Sequence, residues 1–182
     1  MEISLAETDE SRQEAQAFFE QAFPGDSRIA VPSMVMDLMY RTLLVQVRDD
    51  EGRLVGAAMS VEPHLTSGLG VLPPESRPAE LIRVAGKVSE LDRIAVLPEY
   101  RGQGLGAQMI AFLEPLLADR GVQTWFGSGN EREDVVPLRR FFERTDFTVL
   151  TDGKKLPPFH GLTWYPETLT NPPLWFWKSV SR

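Results

Sequence analysis

Apolar and β-branched residues crowd Val88 to Val96, VSELDRIAV, and Pro98 closes the run, so it reads as a strand. After it, Leu105, Met109, Ile110, Leu113, Leu116 and Leu117 recur at intervals of three and four, the stripe of a helix laid on a sheet. Upstream, Ile3 to Leu5 fits a short first strand. Glu10 to Ala22 places Ala15, Phe18, Phe19 and Ala22 at helical spacing, with Pro24-Gly25 as the stop. Val31 to Tyr40 predicts a second helix beginning near Pro32-Ser33. Leu43 to Arg48 and Arg53 to Val61 flank Asp49-Asp50-Glu51-Gly52, two strand-like runs around a turn signal and hence an antiparallel hairpin. Pro63 to Gly86 interrupts the pattern with Gly68, Gly70, Pro73, Pro74 and Pro78, and predicts a long loop with a short helix over Ala79 to Val84. Such a loop serves either as one edge of a binding site or as a surface excursion. Downstream come a strand at Val122 to Gly127, a helix with Pro137 in its first turn and Leu138, Phe141 and Phe142 on its apolar face, and a strand at Phe147 to Leu150. A Pro/Gly/Lys-rich loop over Thr151 to Gly161 precedes an aromatic last strand, Leu174 to Val180. No internal repeat interrupts the order strand, helix, helix, hairpin, strand, helix, strand, helix, strand, strand.

The candidate chemistry lies between the central strand and its helix, in Arg101-Gly102-Gln103-Gly104-Leu105-Gly106. Three glycines there allow positive φ and remove side chains that would hold a ligand off the backbone. Peptide N–H groups at a helix N-terminus then suit a phosphate or pyrophosphate, and Arg101 adds a full charge. A tight turn kept small for packing is the plainer alternative. The dinucleotide fingerprint fits poorly, because the third glycine falls one place early and the motif sits mid-chain.

The full string Ile94 to Gly106, IAVLPEYRGQGLG, resembles motif A of the GCN5-related N-acetyltransferases, the GNAT superfamily. That pattern is an apolar strand, Val-x-Pro, then Arg/Gln-x-x-Gly-x-Gly/Ala, with Arg101, Gly104 and Gly106 in its defining places. The resemblance is strong over residues 88 to 120 and recognisable to about 150. It implies a single α/β domain over residues 1–182 with the acyl-CoA N-acyltransferase fold: a mixed, mostly antiparallel sheet of six to seven strands, splayed at the cofactor cleft and flanked by about four helices. It implies acetyl-CoA as cosubstrate and no metal. The cofactor-binding residues implied are Ile94, Ala95 and Val96 along the pantetheine, and Arg101, Gly102, Gln103, Gly104, Leu105 and Gly106 around the pyrophosphate. Asn130, after the next strand, is a further candidate for the pantetheine.

Composition narrows the classes. The 182 residues are 42% hydrophobic and 25% charged, ordinary for a globular chain of one domain. Net charge is −7, which argues against nucleic acid and modestly favours cationic acceptors, although it also serves solubility alone. No apolar run approaches the roughly 20 residues of a membrane span. The N-terminus, MEISLAETDE, lacks the layout of a signal peptide, and with no cysteine there is neither a disulfide framework nor a thiolate nucleophile. Cytoplasm is the expected compartment.

Acetyl transfer to an amine needs the amine neutral, and an alkylamine with a pKa near ~10.4 calls for a base. Glu90, six residues before Val96, stands where some members of the resembled family carry one; Asp92 is the second choice. The alternative is a solvated or salt-bridged carboxylate, with Arg93 as partner. Many members place a tyrosine on the last helix as general acid, in a string like FYEKLGF. Here that string is Phe141 to Phe147, with Phe142 in the tyrosine's place and Asp146 in the glycine's. A phenyl ring donates no proton. Of the three tyrosines, Tyr40 lies upstream, Tyr100 reads as structural, and Tyr165 remains as a candidate acid. An unaided thiolate, with thiol pKa near ~8.5, is a tolerable leaving group. His64 and His160 fit no metal-ligand spacing, and no GxSxG elbow exists. Lys154 and Lys155 face two uses, the 3′-phosphate of coenzyme A or loop solubility. Met34, Met36 and Met39 fill core or line an acceptor pocket. Trp164, Trp175 and Trp177 pack the last strand, form an acceptor wall or make a homodimer face. The sequence thus predicts an N-acetyltransferase acting on a primary amine, or else a catalytically silent acyl-CoA-binding sensor of the same fold.

Overall fold

The computed structural model describes residues 1–25, 30–63, 86–129, 134–151, 154, 156–161 and 174–181. The loop expected at 63–86 and its helix therefore lie almost wholly outside the described residues, as do Asn130, Lys155, Trp164, Tyr165 and His64. Seven strands form one sheet in the order β1-β2-β3-β4-β5-β7-β6. They are β1 (Glu2–Leu5), β2 (Leu43–Arg48), β3 (Leu54–Val61), β4 (Val88–Val96), β5 (Thr124–Ser128), β6 (Thr148–Thr151) and β7 (Leu174–Ser179). The pairs β1–β2, β2–β3, β5–β7 and β6–β7 are antiparallel, and β4–β5 is parallel. Helices are α1 (Asp9–Ala22), a one-turn α2 (Asp37–Tyr40), α3 (Leu105–Asp119) and α4 (Val135–Arg144). No described helix is long and apolar enough to cross a membrane.

The chain divides into two compact units, Met1–Val61 with Leu91–Leu116, and Glu62–Glu90 with Leu117–Arg182. In the first, β3 is buried at every position. Ala57, Met59 and Val61 join Phe18, Phe19, Ala15 and Leu44 in one cluster. Gly56 lies near α3: a Cβ there would stand 3.5 Å from Met109 Cε and 3.4 Å from the carbonyl oxygen of Ala95. A Cβ at 56 would therefore sit in ordinary van der Waals contact with both, and a longer side chain would have no room between strand and helix. Of the predicted stripe of α3, Met109 and Leu113 are at 0% exposure with Leu105, Ile110 and Leu117 close behind, while Leu116 is only half-buried. Each such side chain contributes roughly 1.5–3 kcal/mol through burial.

In the second unit, β4 pairs with β5 in the register Val88 to Thr124 through Glu90 to Phe126. One cluster joins Val88, Phe126, Leu156, Phe159 and Trp175. Another is aromatic: Phe142 of α4 stacks on Phe176 of β7 at 3.5 Å between centroids and 13°, and Phe147 stands edge-on to both. Lys178 is buried with its ammonium 4.8 Å from the Phe147 ring centroid, and it donates to the carbonyl of Thr145 at 3.3 Å. A cation suits that carbonyl because it lies just past the negative end of α4. Trp175 packs internally, as one of its readings required, and Trp177 rests 5.4 Å from Phe159.

The second helix differs from expectation. In place of a helix over Val31 to Tyr40 there is a 3₁₀ turn at Met34–Met36 and one α-turn, ended by Arg41 at φ 46°. The short segment is held by a long-range pair: Arg12, 4% exposed on α1, grips both oxygens of Asp37 at 2.7 and 2.8 Å and the carbonyl of Pro32 at 2.8 Å. Core filling by the methionines is corrected too. Met39 is 68% exposed, while Met34 and Met36 are half-buried.

Candidate functional site

The stretch Ile94 to Gly106 forms one continuous strand, turn and helix within the first unit. Val88, Ser89 and Leu91 of β4 are buried, but Asp92 through Leu97 are all half-buried. A strand inside a seven-stranded sheet ordinarily loses more of its surface than that, so this end of β4 stays accessible. Pro98 starts a 3₁₀ turn, Pro98–Tyr100, that carries the chain from β4 into the glycines.

Gly102 has φ 77° and Gly104 φ 80°, in the left-handed region where a side chain costs roughly 1–2 kcal/mol. A Cβ at Gly102 would meet nothing within 4 Å, and one at Gly104 only Gln108 Nε2 at 3.8 Å. Packing therefore does not demand glycine at these two places; backbone conformation does. The packing alternative for the turn is set aside at Gly102 and Gly104. Gly106 needs no positive φ, because it already lies in the first turn of α3. Arg101 through Gly104 are all exposed. Gln108 N–H reaches the carbonyl of Gly104 at 3.0 Å and opens the helical ladder. The N–H groups of Leu105, Gly106 and Ala107 come ahead of that bond and lack a partner within the helix. Together with the helix dipole they form a set of donors suited to an anion. Arg101 donates from Nε to the carbonyl of Val96 at 3.0 Å, which sets its guanidinium at the end of β4.

The start of the turn is fastened to the β2–β3 hairpin. Leu97 N–H donates to the carbonyl of Val55 at 2.9 Å, the Tyr100 hydroxyl donates to Asp49 Oδ2 at 2.7 Å, and Arg53 pairs with Glu99 at 3.0 Å. Asp49 is held below the usual carboxylate range, first by the Tyr100 hydroxyl and then by the N–H groups of Arg53 and Glu51. The same hydroxyl bond pushes the Tyr100 phenol up. Tyr100 is structural here, as its place in the sequence suggested.

The other candidates separate. Glu90 is half-buried and falls in the second unit. Asp92 pairs with Arg93 at 2.9 Å, the salt-bridged alternative. Phe142 is 2% exposed inside the aromatic stack, so the position matching the family's tyrosine is filled by packing. His160 sits in a turn at φ 51°, and Lys154 is exposed. Among the described residues no group of His, Asp and Glu is placed to hold a metal. Asn130 and Tyr165 lie outside the described residues. Arg12 and Asp49 were missed as organisers of this unit. The signal for Arg12 was available: it stands on the same helical stripe as Ala15 and Phe19, where a charge requires a partner.

A family model described as Acetyltransferase (GNAT) family matches residues 9–147. Among solved structures, an aminoglycoside 6′-N-acetyltransferase complexed with coenzyme A superposes with a TM-score of 0.63 at 16% identity, covering 100% of this chain and 98% of its own. A GNAT-family acetyltransferase from Staphylococcus aureus Mu50 gives 0.62 at 12% identity, over 99% and 100%. The ribosomal-protein-S18-alanine N-acetyltransferase of Escherichia coli gives 0.58 at 18% identity, over 100% and 94%. No curated protein matches by sequence.

Proposed function

The chain belongs to the acetyltransferase (GNAT) family, and we propose that it moves the acetyl group of acetyl-CoA onto a primary amine by direct attack, with no covalent enzyme intermediate. The observation that carries the reading is the exposed turn at Gly102 and Gly104, in left-handed backbone and opening α3 with unspent N–H groups beside Arg101. We assign the diphosphate of coenzyme A to the amides of Gln103 to Gly106 with Arg101, and the pantetheine to the backbone of Ile94, Ala95 and Val96. The coenzyme A complex with a similar fold supports that choice of ligand.

In the proposed reaction the amine nitrogen attacks the thioester carbonyl carbon, and its electron pair becomes the new C–N bond. The oxyanion that forms is stabilised by a strand N–H, then collapses and expels the thiolate with the C–S electron pair. Glu90 takes the amine proton, directly or through water. With Phe142 packed in the core, the thiolate departs unaided or takes a proton from water; Tyr165 is the residual candidate acid. Asn130 is assigned to the pantetheine. The acceptor is a cationic amine in keeping with the chain's net charge of −7, and the cytoplasm is the proposed compartment.

The buried Phe142 also favours the second reading, a silent acyl-CoA sensor. Thiol release from acetyl-CoA across a panel of amines separates the two. Turnover that falls about 10²- to 10⁴-fold in Glu90→Gln supports the enzyme and its base. Tight coenzyme A binding with no turnover on any amine supports the sensor. Calorimetry showing no binding of coenzyme A by the folded chain removes both.

A further inference from the structure

We propose that Asp49, in the turn between β2 and β3, is a positioning residue for the coenzyme A loop and acts through the hydroxyl of Tyr100. The inference rests on the proposed reading of the glycine turn as the diphosphate site. Asp49 and Asp50 are neighbours in one hairpin turn, yet their side chains are 12% and 91% exposed. The difference follows from what Asp49 holds. Its Oδ1 accepts the N–H groups of Glu51 at 3.1 Å and Arg53 at 2.9 Å, its own N–H donates to the carbonyl of Arg53 at 3.0 Å, and Oδ2 accepts the Tyr100 hydroxyl at 2.7 Å. One oxygen shapes the hairpin turn and the other reaches a residue 51 positions away. Arg53 makes a second arm: its guanidinium lies 5.3 Å from the Tyr100 ring centroid and pairs with Glu99. The hairpin is braced in turn by Arg48, which donates to the carbonyl of Gly52 at 2.9 Å and pairs with Glu14 on α1.

Leu97, Glu99 and Tyr100 are thus tied to the hairpin, and the next residue is Arg101. The four residues Arg101 to Gly104 are exposed, and two of them are glycines with wide backbone freedom. The direction in which their amides point is therefore set largely from the Tyr100 side. Releasing Tyr100 lets the turn sample orientations that bind the diphosphate less well, and affinity falls by the fraction of time spent misaligned. The chemistry at the thioester does not touch this residue pair.

The test is a double-mutant cycle on Tyr100→Phe and Asp49→Ala, read as KM for acetyl-CoA, dissociation constant for coenzyme A and kcat. Each single variant is expected to weaken coenzyme A about 5- to 20-fold while kcat stays within about twofold. The double variant is expected to be no worse than the poorer single, since once Asp49→Ala has broken the bond to Tyr100 the second change has no such bond left to remove. Thr8→Ala, destabilised at α1, is the control whose KM stays at the wild-type value. Wild-type affinity in Tyr100→Phe, or losses that add in the double variant, overturns the proposal. Tyr100→Phe deletes one hydroxyl and carries the test even where Asp49→Ala fails to fold. If wild type binds coenzyme A and Gly104→Ala weakens it but Tyr100→Phe does not, positioning fails and the diphosphate reading stands. If wild type does not bind, both fall.

Discussion

At the start of α1, Thr8 Oγ1 accepts the N–H of Ser11 at 3.1 Å and the N–H of Thr8 donates back to Ser11 Oγ at 3.2 Å. At the start of α4, Asp134 accepts the N–H of Val136 at 3.1 Å. At the start of α3 the residue in that place is Gly104, with no side chain to offer. Every helix has the same surplus of N–H groups at its N-terminus, and a side-chain oxygen is the ordinary way to satisfy them. Among the described helices longer than one turn, two are closed by their own side chains and α3 is left open beside an arginine; the single turn of α2, preceded by Met36, has no side-chain cap either. An open end is a defect in a structural helix and an asset where an anion docks. The contrast marks α3 without appeal to any relative.

The largest effect that separates these helix ends is expected at Gly104. Gly104→Ala places a Cβ at φ 80°, where space is open but the conformation is disfavoured, so the turn relaxes. Loss of two or three aligned donors to a diphosphate is expected to weaken coenzyme A by on the order of 10- to 100-fold in calorimetry. An unchanged dissociation constant breaks the comparison. Thr8→Ala is expected to do the opposite: about 1 kcal/mol of stability lost in denaturant melts, with coenzyme A affinity unchanged. If removing the α1 cap also weakens coenzyme A, the two ends are not independent and the contrast loses its meaning.

Much of this architecture was legible in the sequence because its periods are strong. The bounds of β4 follow from its β-branched run and Pro98, the stripe of α3 from its spacing, and the two strands of the hairpin from the turn signal between them. Pro115 sits inside α3, where a proline ordinarily breaks the helix; the apolar stripe runs past it to Leu117 and wins. The glycine turn was legible too, since glycine takes the left-handed backbone of Gly102 and Gly104 without the steric cost that other residues carry. What spacing does not carry is contact between residues far apart in the chain. Val31 to Tyr40 has the composition of a helix, yet Arg12 and Asp37, 25 positions apart, fix it as a 3₁₀ turn and a single α-turn. Asp49 reads as a turn residue and nothing more until Tyr100 is brought to it. Phe142 reads as a tyrosine position lacking its hydroxyl; only the stack on Phe176 shows the ring at work in a core.

The C-terminus of α4 extends the contrast to the other end of a helix. Phe147 N–H returns to the carbonyl of Phe142 at 3.0 Å, and Asp146 between them takes φ 64°. This closing motif favours glycine, which pays no steric penalty there. Asp146→Gly is expected to raise stability by about 0.5–1 kcal/mol in the same melts and to leave acetyl transfer unchanged. A loss of stability means that the Asp146 side chain does something the backbone does not require.

The smallest effect expected is in pH, and it tests whether the Asp49–Tyr100 bond is made in solution. Asp49 has its folded pKa depressed, with the Tyr100 hydroxyl the first cause. Its contribution to stability is therefore present above the ordinary aspartate value of ~3.9 and is lost as pH falls through the lowered folded value. Tyr100 has its folded pKa raised by the same bond. Its contribution is present below ~10 and is lost as pH rises through the raised value. One hydrogen bond thus leaves two limbs on the stability profile with a plateau between them. Tyr100→Phe deletes this residue's share of the alkaline limb, because the group no longer titrates, and leaves the share of the Met1 ammonium, whose bond to Asp50 holds it above its ordinary value. It shortens the acid limb without abolishing it, because the N–H groups of Glu51 and Arg53 still hold the carboxylate. Melting temperature followed across pH in wild type and Tyr100→Phe reads both limbs at once. Superimposable profiles at the acid end mean that Asp49 draws its low pKa from the hairpin turn alone, and that the glycine turn stands without it.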